Sequence, residues 1–190
     1  HPSVLEVCRA LEQRGVCVTY VPVDEQGAVN AADVLAAVTD DTVLVSVMYV
    51  NGEVGSIQPV AKIGKQLRTL RNQTPKRTTP YFHIDASQAV LFETLSVESL
   101  CVDMLTIDAQ KIYGPKGVGG LYLRRGTVIA PHICGGGQEG GLRAGTENVP
   151  GVVGLAEALG VARAGYKEEK ERLASLRDSF IEHLQTALPG

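Results

Sequence analysis

An α/β fold, with a mostly parallel central sheet flanked by helices, is the architecture this 190-residue chain predicts. Three observations point to it. Short β-branched runs alternate with stretches of helical periodicity along most of the chain. The run VLVSVMYV at 43–50 is almost continuously apolar, the pattern of a strand buried on both faces of a parallel sheet. With 44% hydrophobic and 21% charged residues, the chain has the make-up of one globular domain able to bury a core.

The elements follow in order. Residues 2–14 read as a helix, because Pro2 suits a first turn and Val4, Val7, Cys8 and Leu11 recur at helical spacing before Gly15 ends it. Residues 16–22, VCVTYVP, read as a strand, Asp24–Gly27 as a turn, and Asn30 as the N-cap of a short helix through Val38. After the strand at 43–50 come a loop at 51–58 and a helix from about Val60 to Arg71. The polar segment 72–80, NQTPKRTTP, is an exposed connection. Strands are expected at 81–84 and 103–107, and 117–123 reads as a strand returning after a turn. Residues 130–145 form a glycine-rich loop. One long helical stretch then runs from about 147 to 188, with Thr146 as its N-cap and Leu173, Leu176, Phe180 and Leu184 on one stripe. A helix of that length outruns a compact sheet domain and reads as a connector.

Charge and composition exclude several classes. Net charge is −3, aromatic residues make up 5% and Trp is absent, so neither a basic stripe nor a stacking platform for nucleic acid is expected. No apolar run is long enough to span a membrane, and the opening is not a basic-then-apolar signal peptide. A first residue of His rather than Met is expected of a processed or truncated N-terminus. The four cysteines, Cys8, Cys17, Cys101 and Cys134, form no C-x-x-C pair and have no His at metal-ligand spacing. They are expected to be free, buried thiols in a reducing compartment.

In open α/β sheets, ligands sit outside the carboxyl ends of the strands. Three predicted strands end there in Asn51-Gly52-Glu53, in Asp85-Ala86-Ser87-Gln88 and in Asp108-Ala109-Gln110-Lys111. A lysine just past a buried strand can be desolvated and nucleophilic, as a Schiff-base lysine must be. A neighbouring carboxylate can hold a pyridinium nitrogen protonated. Singly, each residue also has a plainer reading: Lys111 as a solvated turn residue, Asp85 as a helix cap, Gln88 as a surface amide. The glycine-rich segment 135–146 matches neither G-x-G-x-x-G nor a P-loop. The helix start after it is either simply capped by Thr146 or offers N–H groups and a hydroxyl to an anion.

Five segments together, HPSVLEVCRALEQRG, VNGEVGSIQPV at 50–60, HIDASQAV at 83–90, DAQKIYGPKGVGGLYLR at 108–124 and GGGQEGGLRAGTENVPGVVGLAEAL at 135–159, resemble the cysteine desulfurases. These belong to the class V aminotransferase group of pyridoxal-phosphate (PLP) enzymes, which includes selenocysteine lyase. The resemblance implies a PLP-dependent transferase fold. Residues 1–165 would be a large PLP-binding domain lacking its N-terminal part, and 166–190 a helix leading to a small domain not present here. It implies that Lys111 carries PLP as a Schiff base, that Asp85 pairs with the ring nitrogen, and that Gln88 hydrogen-bonds the ring hydroxyl. His1 would stack on the ring and take part in proton transfer, and Thr146 would reach the phosphate bound in a partner subunit of a homodimer, with Arg143 in the same loop. The implied reaction moves sulfur from L-cysteine to an enzyme cysteine and releases L-alanine. The persulfide would serve an acceptor or scaffold protein of iron–sulfur or thio-cofactor assembly in the cytoplasm.

The chain departs from the family pattern at three positions. Gly52 stands where a cofactor-contacting Asn is usual, and Asp108 and Gln110 stand where Ser and His usually touch the phosphate. A carboxylate beside a phosphate is repulsive unless it turns away or is paired. None of the four cysteines falls at the family's nucleophile position. The alternatives are therefore a selenocysteine lyase, another class V activity, or a non-catalytic homologue acting as a binding partner. The retained Lys111 argues against the last.

Overall fold

The computed structural model describes residues 1–73 and 80–188. Its centre is a four-stranded sheet of β1 (Leu44–Met48), β2 (Tyr81–Asp85), β3 (Met104–Asp108) and β4 (Gly119–Leu123), in that spatial order. β1, β2 and β3 are parallel, and β4 returns antiparallel to β3, so the sheet is mixed and mostly parallel as expected. Helices α1 (Pro2–Glu12) and α2 (Ala31–Ala36) precede the sheet. Helix α3 (Val60–Gln73) lies between β1 and β2, and the single turn α4 (Val97–Leu100) lies between β2 and β3. Helices α5 (Val149–Ala164) and α6 (Tyr166–Ala187) follow.

Strand alternation decides which side chains reach the core. Phe82 and Ile84 of β2 point to the α3 face and are fully buried with Ile63 and Leu67 of α3. Burying side chains of this size contributes about 1.5–3 kcal/mol each. The residues that alternate with them, His83 and Asp85, face the other side and are half-buried. The core helix comes unusually close to the chain behind it. A Cβ placed on Gly64 would overlap the carbonyl oxygen of Leu100 and lie 3.1 Å from Phe82 Cε1.

A buried carboxylate ties the amino ends of the strands together. Asp103, 4% exposed, accepts from Arg71 Nη1 at 2.7 Å and from the Phe82 backbone N–H at 2.8 Å. The Arg124 guanidinium lies 3.8 Å from its other oxygen and donates to the carbonyls of Val102 and Val97.

Several expectations are corrected. Residues 16–22 form no strand among the described residues: only an isolated bridge joins Val23 to Val29, and Val16 and Tyr20 are half-exposed. β-branched residues favour extended backbone, but without a neighbouring strand there is no ladder. β1 is not buried on both faces, since Leu44 is 48% exposed and Ser46 is exposed at the sheet edge. The long terminal helix is two helices, broken at Gly165, whose φ of −121° and ψ of 19° are not helical. Asn148, not Thr146, caps α5, accepting from the Gly151 N–H at 3.2 Å. Of the four free cysteines only Cys101 is buried, and Cys17 and Cys134 are exposed. The turn at Asp24–Gly27 and the Asn30 cap are as expected. Most of the polar connection, residues 74–79, lies outside the described residues.

Candidate active site at the strand ends

β2 and β3 end side by side, and their last residues and the turns that follow open onto a cleft of about 460 Å³. Asp85, Ser87, Thr106, Asp108 and Gln110 line it, together with Ser3 of α1 and the segment 117–119. Alternation explains the grouping. Asp85 and Thr106 are register partners across β2 and β3, so both point to the same open face, and Asp108 follows two residues on.

Asp85 accepts from the Ser87 N–H at 3.0 Å through one oxygen. Among the described residues no hydrogen bond reaches the other oxygen. Asp108 caps the 3₁₀ turn Ala109–Ile112. It accepts from the Gln110 backbone N–H and from the Gln110 side-chain amide, both at 3.1 Å. The carboxylate is thus paired within its own turn.

Lys111 sits on that same turn. Its neighbours Ala109 and Ile112 are buried beneath α5 against Leu155 and Ala158. Small residues allow the approach: a Cβ on Gly154 would lie 2.9 Å from Pro115 Cγ. The Lys111 side chain itself is exposed, not desolvated, and has no hydrogen bond or ion pair among the described residues. Tyr113 closes the turn in the left-handed region at φ 63° and is 90% exposed.

The other predicted residues are placed as follows. Gln88 lies with its amide against Gly52, where an added Cβ would come within 2.8 Å of Nε2, so the amide takes space that a side chain at position 52 would need. His1 caps α1, its Nδ1 2.8 Å from Oγ of Ser3, which lines the cleft where His1 itself does not. Thr146 is exposed and does not line the cleft, and neighbouring Arg143 donates to the Ala144 carbonyl at 2.8 Å.

Sequence reasoning missed Ser3, Ser87 and Thr106, and also His83 beneath them. Period-two spacing is the signal that could have found two of these, since His83 precedes Asp85 and Thr106 precedes Asp108 by two residues. His83 bridges the strands, with Nδ1 2.8 Å from Ser46 Oγ and Nε2 2.7 Å from Thr106 Oγ1. Burial pushes its pKa below the ordinary 6.5, partly opposed by the charge of Asp85. A proton therefore prefers the unfolded chain. The fold keeps its full stability above pH 6.5 and loses part of it as pH falls from there through the lower folded value. Urea unfolding at about pH 7.5 and about pH 5.5 should show a larger loss for the wild type than for His83→Gln, which has no imidazole to protonate.

The cleft chemistry suits one part of PLP. A carboxylate oxygen without a partner among the described residues matches a protonated ring nitrogen, and a primary amine on the adjoining turn, likewise unpaired among them, matches an aldehyde. No Lys or Arg is among the lining residues, so these residues fit the ring and the aldehyde while supplying no cation for the phosphate.

A family model described as aminotransferase class-V matches residues 1–189. A cysteine desulfurase IscS of Clostridium botulinum is 43% identical over 189 residues, which is 100% of this chain and 46% of that protein. A solved NifS-like protein superposes with a TM-score of 0.89 at 41% identity, over 98% of this chain and 49% of that one. A structure described as SspA in complex with cysteine has a TM-score of 0.75 at 37% identity, over 84% of this chain and 44% of that one. The chain spans about half the length of the curated relatives it matches.

Proposed function

The chain belongs to the class V aminotransferase family, and on that premise we propose that its cleft is the cofactor-binding part of a PLP-dependent cysteine desulfurase. The observation that carries this reading is the placement of Asp85, with one oxygen unpartnered in the cleft, at the end of β2, and of Lys111 on the turn after adjoining β3.

In this reading Lys111 attaches the cofactor through Nζ, Asp85 holds a proton at the ring nitrogen, and the Gln88 amide meets the ring hydroxyl. His1, held by Ser3 at the α1 N-cap, stacks on the ring and moves a proton at the substrate α-carbon. Bound there, PLP supplies an electron sink for that carbon. The Asp108–Gln110 pair turns its charge into its own turn, which reduces its repulsion of a nearby anion. Thr146 serves the phosphate held in a partner subunit of a homodimer. Residues 1–165 belong to the PLP-binding domain, and 166–190 lead toward a second, smaller domain. The whole protein takes sulfur from L-cysteine onto a cysteine thiolate outside the four described here and releases L-alanine. A cytoplasmic acceptor or scaffold protein then receives the sulfur. No helix among the described residues is long and apolar enough to cross a membrane.

The test is an absorbance spectrum of the intact protein with added PLP, followed by borohydride reduction and peptide mapping. Visible absorbance and a reduced adduct on Lys111 are expected, and both are lost in Lys111→Ala. One observation favours a second reading, a homologue that binds partners without catalysis: among the described residues no Lys or Arg lines the cleft. No adduct at saturating PLP would select that reading.

A further inference from the structure

We propose that His83 is a positioning residue of the cleft: as the neutral Nε2–H tautomer it donates to Thr106 Oγ1 and so turns the Thr106 hydroxyl proton into the cleft beside Asp85. This deepens the PLP reading and rests on it for what Asp85 holds.

The three side chains lie on adjacent strands of one sheet face. Ser46 and His83 are register partners across β1 and β2, and Asp85 and Thr106 are partners across β2 and β3. The imidazole fills the space between two hydroxyls, 2.8 Å from Ser46 Oγ through Nδ1 and 2.7 Å from Thr106 Oγ1 through Nε2. Both Thr106 and Asp85 line the cleft.

A neutral imidazole carries one N–H, so only two arrangements exist. If Nδ1 carries the proton, it donates to Ser46, and Thr106 spends its only hydroxyl proton on Nε2. The remaining Thr106 lone pairs then face the Asp85 side of the cleft, which is electrostatically unfavourable. If Nε2 carries the proton, Thr106 accepts from His83 and keeps its own proton for the cleft, where a carboxylate attracts it. Ser46 does not decide the matter, because it is exposed at the sheet edge and water can serve it in either arrangement. Burial keeps the ring neutral, so the choice between tautomers is a real one. A Thr106 proton on the cleft side removes a lone pair that would oppose the Asp85 charge, and it gives the cleft wall a donor near the carboxylate that meets a ligand's protonated nitrogen.

Two measurements test this on the intact protein. Nitrogen-15 NMR of the histidine rings without PLP should find a protonated, pyrrole-type Nε2 and an unprotonated, pyridine-type Nδ1 at His83. The reverse tautomer, or a doubly protonated ring at neutral pH, overturns the assignment. PLP titration followed by absorbance then compares two amides. His83→Gln can place its NH₂ near the Nε2 position and should keep the affinity within about twofold. His83→Asn reaches only the Nδ1 position and should weaken binding about fivefold to tenfold, as should Thr106→Val, the loss of one hydrogen bond. Equal losses in the two amide variants overturn the proposal, since that is the pattern of a packing role. Thermal unfolding of each variant separates affinity from stability. If the wild type binds no PLP at any concentration, the cofactor reading fails and the tautomer spectrum alone decides the His83 assignment.

Discussion

Asp103→Ala is expected to remove about 3–5 kcal/mol of folding stability, a large share of the 5–15 kcal/mol that holds a typical domain together. The carboxylate accepts the Arg71 guanidinium and the Phe82 backbone N–H through one oxygen and lies near Arg124 through the other. Alanine strands a guanidinium whose side chain is 16% exposed and leaves a buried N–H without its acceptor. The loss is that of breaking a buried pair, not the net worth of the pair. Asp103→Asn keeps an acceptor oxygen and loses the charge, so it should fall between wild type and alanine. Urea midpoints measure both. The network lies at the amino end of β3 and the cleft at its carboxyl end, so PLP affinity measured well below the melting temperature should be nearly unchanged. A midpoint for Asp103→Ala within error of wild type would mean that water or a side-chain shift satisfies Arg71.

Gly64→Ala is the second large effect, and here two terms oppose. Alanine in a helix is favoured over glycine by about 0.8–1.0 kcal/mol. The added methyl, however, overlaps the Leu100 carbonyl oxygen and crowds Phe82 Cε1 and Cys101 Cβ. Leu100 is followed by Cys101 in the left-handed region at φ 55°, so that carbonyl belongs to a backbone already at the edge of its range. Overpacking against backbone costs about 1–3 kcal/mol or more, and it outweighs the propensity gain. A net loss of about 2 kcal/mol is expected by urea unfolding. Gly160→Ala is the control: it lies exposed within α5 with nothing near its added Cβ, and it should stabilise by roughly 0.5–1 kcal/mol. If Gly64→Ala raises the midpoint as Gly160→Ala does, the close contact of α3 with Leu100 is wrong.

The parts legible in the sequence are those set by local chemistry. Asn30 and the Asp24–Gly27 turn announce themselves through side chains that bond their own backbone. The strands at 43–50, 81–84 and 103–107 follow from apolar runs, and the carboxyl-end rule groups Asn51, Glu53, Asp85, Gln88, Asp108, Gln110 and Lys111 near one sheet edge, where Asp85, Asp108 and Gln110 line the cleft and the others do not. What was not legible depends on partners distant in sequence. VCVTYVP has the composition of a strand, but a strand needs a neighbour that composition does not reveal. Thr146 and Asn148 are both good caps, and only the path of the loop decides for Asn148. Gly165 breaks a helix that glycine often merely weakens. His83 and Thr106 escaped notice because each is ordinary within its own strand, and their meaning lies in a register that crosses three strands.

The burial of Ala109 and Ile112 beneath α5 has an entropic side. These two residues flank Lys111 and fix the backbone on which it stands, while the lysine stem projects into solvent. The amine explores space mainly through its own side-chain torsions, from a backbone anchored by those two buried side chains. Any group docked at the strand ends meets a reactant whose search is confined to a small volume. That confinement raises its effective concentration and lowers the ordering cost left to the bond-forming step.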